Sequence, residues 1–121
     1  MRDRPQGAEL ADLAARARAG DAGLALPDDE RYRDAMIARA EAIAARQAET
    51  GDGPEGRERE SLQALLGADG ELAQLNRALA SAIRAGRFDP GQAPAAACYR
   101  HLSETALERV RESNPKALAK N

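Results

Sequence analysis

The fold this sequence predicts is an all-α, single-domain bundle of about five helices with short connectors and no sheet, and three observations lead to it. Apolar residues recur at steps of three and four through most of the 121-residue chain, the spacing that gathers them on one helical face. Gly and Pro clusters interrupt these stretches where helices would have to stop. No stretch alternates apolar and polar residues in the manner of a half-buried strand.

The first helix is expected from Ala8 to Ala19, with Leu10, Leu13, Ala14 and Ala17 on one side and Asp12 four residues before Arg16. Gly20 ends it. The connector that follows carries Leu24 and Leu26 in alternation before Pro27. Two leucines are too few for a strand, so an extended apolar strap is expected there. Asp28 and Asp29 then stand where acidic groups cap free amides and complement the positive end of a helix dipole. A second helix is expected from Asp29 to Thr50. Tyr32, Met36, Ala40, Ile43 and Gln47 mark its inner face, with Ile37 and Ala44 beside them, and Gly51 stops it.

Gly51-Asp52-Gly53-Pro54-Glu55-Gly56 is the clearest breaker cluster and predicts a mobile surface loop at 51–56. It lacks the lysine and the preceding strand of a phosphate-binding loop. A short third helix, Arg57 to Leu66, follows with Leu62, Leu65 and Leu66 facing inward, and Gly67 closes it. Asp69 or its neighbours start the fourth helix. This is the most complete one in the chain: Leu72, Leu75, Leu79 and Ile83 share a face, and Gly86 suits the left-handed stop. Phe88 is expected to plug the turn before the last helix, which begins near Ala93 or Pro94. Its inner stripe reads Ala95, Cys98 or Tyr99, Leu102, Ala106 and Val110, and Asn114-Pro115 halts it. The ends, 1–6 and 116–121, are expected to fray.

Composition narrows the function classes. Trp is absent and only three aromatic side chains occur, so the core must rely on aliphatic residues and alanine. Alanine buries little area, and a homodimer is one way to make up the shortfall. With 18 basic and 20 acidic side chains giving a net charge of −2, and no block of like charge, there is no generic surface for nucleic acid or anionic membrane. No apolar run approaches the ~20 residues that span a bilayer, and no signal-peptide core follows the charged start. The single Cys98 excludes an internal disulfide. A cytoplasmic protein is expected.

Few residues invite chemistry. Cys98 and His101 lie three apart on one helical surface, but no second Cys or His exists to complete a zinc site. No third group orients them as a nucleophile and base. The carboxylates form no Glu-x-x-His pair and mostly alternate with arginine. The Leu62 to Ile83 segment has the outline of a helix-turn-helix, yet its second helix carries only Arg77 and Arg84 as basic groups, the wrong charge for a groove reader. Neither catalytic residues nor a metal nor a cofactor is expected. Asn76, on the inward edge of the fourth helix, has two readings. It fixes helix register through a hydrogen bond, or with Arg77 and Arg84 it borders a cleft or partner surface.

A set of short motifs extends these observations: Arg4-Pro5, Glu9-Leu10, Leu65-Leu66-Gly67, Leu72-x-x-Leu75-Asn76-Arg77-Ala78-Leu79, Ile83-Arg84-x-Gly86, His101-Leu102 and Asn114-Pro115-Lys116. In this order they resemble a family of small bacterial all-helical proteins catalogued as a domain of unknown function. The chain departs from that pattern between Ala19 and Gly23, and at Arg39, where relatives often carry asparagine. The family is often encoded beside aminoglycoside-phosphotransferase-like kinases and acyl-CoA dehydrogenases, so the resemblance implies an accessory role. A noncatalytic interaction protein, partnered with a phosphotransferase-like kinase, is the first expectation. The alternative is a module binding an acyl-CoA-like or phosphorylated metabolite through Arg77, Arg84 or the amino-terminal basic residues. Asn76, Arg77, Arg84 and His101 are the residues expected on the ligand or partner surface.

Overall fold

The computed structural model describes residues 1–119 and contains five helices, with no strand among the described residues. They are α1 (Gly7–Arg18), α2 (Glu30–Thr50), α3 (Gly53–Leu66), α4 (Leu72–Arg84) and α5 (Ala95–Ser113), followed by a 3₁₀ turn at Pro115–Ala117. The expected all-α architecture is the one observed. Contacts gather into two compact units, one holding residues 2–51 and the other holding Met1 and the chain from Asp52 onward.

The first unit is a helical hairpin of α1 and α2. Ala14, Ile37 and Ala44 are its buried apolar residues, and alanine at facing positions lets two helix backbones approach closely. At one end the Gly7 amide donates to Gln47 Oε1 at 2.7 Å. At the other, Arg18 donates to both carboxylate oxygens of Glu41, at 2.5 and 3.3 Å. Asp29 caps α2 as expected, its carboxylate accepting from the Tyr32 amide at 3.0 Å. The inner face of α2 differs from the expectation. Ile37, Ala44 and Gln47 are buried, whereas Tyr32 and Met36 are exposed. The reason is length: α2 has 21 residues and α1 only 12, about 31 Å against 18 Å at 1.5 Å per residue. The first turns of α2 extend past what α1 can cover. Residues 1–6, expected to fray, include an anchored side chain, since Arg2 Nη2 donates to the Gly51 carbonyl at 2.7 Å. At the other end, Lys116 belongs to the 3₁₀ turn, while positions 120 and 121 lie outside the described residues.

In the second unit α3 begins at Gly53, four residues before the expected Arg57, so the breaker cluster is mostly helix. Pro54 explains this. In a first turn its missing amide costs nothing and its fixed φ is already helical, and the Gly56 amide reaches back to the Asp52 carbonyl at 2.9 Å. Gly67 closes α3 in the left-handed region, at φ 64°. Asp69 does not cap α4, which starts after Glu71. Its carboxylate instead accepts from the Gly70 amide, Gln63 Nε2 and Arg59 Nη2, at 2.8, 2.5 and 3.3 Å. Those bonds hold it below the usual aspartate range, the Gly70 amide contributing most, then Gln63 and Arg59. The end of α4 is a Schellman closure, with Gly86 donating to Ile83 O and Arg87 to Ala82 O. The core joins Leu62, Leu75, Leu79, Phe88 and Cys98, with Leu65, Leu66, Leu72 and Ala82 packed around them. Phe88 is the plug its position predicts. Ile83 is more exposed than expected and Ala82 takes its place against the core.

The face presented by α5 is turned by one position. Cys98, His101 and Glu112 are buried, while Tyr99 is 75 % exposed and Leu102 44 %. Ala106, expected inside, is also exposed, and Val110 is half-buried. One residue corresponds to about 100° of rotation. The polar groups that α3 offers to α5 account for it.

Candidate functional site

Glu58 and Ser61 stand one turn apart on α3, and each receives a side chain from another helix. Asn76 of α4 donates from Nδ2 to Glu58 Oε2 at 3.0 Å and to the Leu72 carbonyl of its own helix at 3.1 Å. His101 of α5 shares a 2.7 Å hydrogen bond between Nδ1 and Ser61 Oγ. Glu58, only 6 % exposed, also pairs with the amino-terminal ammonium of Met1. A polar seam therefore ties three helices together beside the leucine core. Buried carboxylates are tolerated when they accept hydrogen bonds from donors fixed by the fold, which is the case here.

The electrostatics of the seam follow from this enclosure. His101 is 3 % exposed. Burial holds its imidazole below the ordinary 6.5, and the amino-terminal charge acts in the same direction, while Glu58 and Glu104 partly oppose the shift. The ring is accordingly neutral at pH 7, with one nitrogen able to donate and one to accept. Cys98, one turn earlier, is buried and unpaired, and loss of solvent pushes its thiol upward. Such a thiol is a poor nucleophile. Further along α5, Thr105 Oγ1 donates to the His101 carbonyl at 3.0 Å. Glu108 pairs with Arg111 at 2.8 Å and Arg57 at 3.6 Å.

Of the four residues expected on one surface, the structure gathers two and leaves two outside. Asn76 and His101 converge on α3, but they do so inside the unit. Arg77 and Arg84 are exposed, and Arg84 reaches only Ser81 Oγ, at 3.4 Å. Among the described residues no three His, Cys, Asp or Glu side chains come together in a way that would hold a metal ion.

Sequence reasoning missed Glu58 and Ser61. Both lie in a run of charged residues, Arg57-Glu58-Arg59-Glu60-Ser61, which reads as a solvated face. The available signal was their phase, because Glu58, Ser61, Leu62 and Leu65 follow the three-four spacing of the buried stripe. Of the inner stripe expected on α5, Cys98 is buried and Ala95 and Val110 are half-buried, whereas Tyr99, Leu102 and Ala106 stand exposed.

The family model described as "Domain of unknown function (DUF6285)" matches residues 24–117, and the chain belongs to that family. No match was found among curated proteins or among solved structures.

Proposed function

We propose that this member of the family is a noncatalytic helical accessory protein that docks on a partner through the outer face of α5. The observation that supports this reading is the exposure of Tyr99, Leu102 and Leu107 on one helix whose buried positions include the polar His101 and Glu112. Large apolar groups left in water on adjoining turns mark interaction surfaces more often than isolated ones do. The polar seam on the other side of α5 supports the noncatalytic part, because its hydrogen-bonding groups are engaged with one another. The partner we propose is the phosphotransferase-like kinase suggested by the resemblance of the sequence motifs.

Co-expression of the two proteins followed by size-exclusion chromatography tests the proposal. Co-elution is expected, and Leu102→Asp should abolish it while leaving the helical circular dichroism unchanged. Separate elution of the wild-type proteins overturns the kinase as partner. If the chain alone elutes as a dimer that Leu102→Asp dissociates, a second copy occupies the face instead and the kinase reading fails.

A further inference from the structure

A second candidate site lies in the first unit. The end of α1, the Leu24–Leu26 strap and the first turns of α2 flank an open cleft of about 420 Å³, within the ~300–1,000 Å³ range of small-molecule sites. Its apolar wall comes from Leu24 and Leu26, half-buried on the strap, and from buried Ile37. Arg33 and Asp34 stand on the same face of α2, one turn before Ile37.

The charges around this cleft are not equivalent. Arg18 is held by both oxygens of Glu41. Asp21 accepts from Arg16 at 2.9 Å and from the Gly23 amide at 2.8 Å. These bonds keep Asp21 below the usual aspartate range, the Gly23 amide first and Arg16 second. The Arg33 side chain, by contrast, is half-buried and has no ion-pair or hydrogen-bond partner among the described residues. A guanidinium presents a planar fork of donors that matches a carboxylate or phosphate. An arginine left unengaged beside an apolar wall is therefore suited to a molecule with an oxyanion at one end and a short hydrocarbon at the other.

We propose that this cleft binds a small amphipathic organic oxyanion, with Arg33 holding the charged group and Leu24, Leu26 and Ile37 covering the apolar body. The site goes beyond the docking role of α5 and is independent of it. Asp34, on the cleft rim, disfavours a ligand carrying more than one anionic group and favours one with a hydroxyl or amine near the charge.

The full-length protein, labelled with nitrogen-15, is titrated separately with octanoate, octyl phosphate, 1-octanol and inorganic phosphate while amide resonances are followed. Saturable shifts centred on Leu24, Leu26, Arg33 and Ile37 are expected with octanoate or octyl phosphate, and the tighter of the two identifies the group as carboxylate or phosphate. Octanol and inorganic phosphate should bind at least about tenfold more weakly, as should the better anion to Arg33→Gln, whereas Arg33→Lys should retain part of the affinity. The proposal is overturned if neither anion saturates by roughly 10 mM, if octanol binds as well, or if Arg33→Gln leaves the affinity unchanged. Circular dichroism of Arg33→Gln confirms that the variant is folded.

Discussion

Asn76 Nδ2 lies 3.0 Å from Glu58 Oε2, and this bond joins α4 to the one buried carboxylate of α3 that also faces the amino-terminal ammonium. The half-buried amide makes the interhelical contact that the register reading of Asn76 expects, with its second bond running to the Leu72 carbonyl. Asn76→Ala removes both donors' bonds and leaves the carboxylate under-satisfied, so unfolding in urea should show a loss of about 1–3 kcal/mol with an unchanged slope. Asn76→Asp should cost more at neutral pH, because it sets a second carboxylate beside Glu58.

His101 links stability to pH. Its imidazole is held below the ordinary 6.5 in the folded chain, mainly by burial, so as pH falls the unfolded chain binds the proton first. The contribution is therefore complete above about 6.5 and is lost as pH falls from there through the folded value. Stability measured at intervals from pH 8 to 5 should decline more steeply for the wild type than for His101→Gln. Parallel curves for the two proteins would count against the buried neutral ring.

Cys98 should be protected from thiol reagents. The side chain is 4 % exposed and its pKa is raised by loss of solvent, so little thiolate is available for attack. Reaction with a disulfide reagent should be slow in buffer and should become complete in denaturing urea. Fast labelling of the folded protein would show that this end of α5 is open.

The rotation of α5 yields a paired test. Leu62 is 0 % exposed, and Leu62→Ala should destabilise the chain by about 2–5 kcal/mol. Leu102→Ser, at a leucine the periodicity assigns to the core, should change stability by no more than about 1 kcal/mol. Equal losses in thermal or urea unfolding would place Leu102 inside after all.

Gly67 provides a backbone test with no packing component. It sits at φ 64°, and a Cβ added there would meet nothing within 4 Å. Gly67→Ala should therefore cost only the strain of the left-handed conformation, about 1–2 kcal/mol in urea unfolding.

The sequence by itself determined the helices, because what starts and stops them is local: Asp29 capping α2, Gly67 and Gly86 closing α3 and α4, and Pro115 halting α5. It also determined the leucine face of α4, whose spacing admits one buried side. It misread the start of α3, since a glycine-rich stretch looks like a loop unless Pro54 is recognised as a first-turn residue. Only the tertiary structure decided which face of α5 is covered. Apolar periodicity favoured Leu102 and Ala106, but Ser61 and Glu58 on α3 supply partners for polar groups from neighbouring helices, and His101 turns inward to meet Ser61. A hydrogen bond between residues 40 positions apart leaves no periodic trace in either segment. That is why Asn76 and His101 were legible as unusual residues, while Glu58 and Ser61, which give them their role, were not.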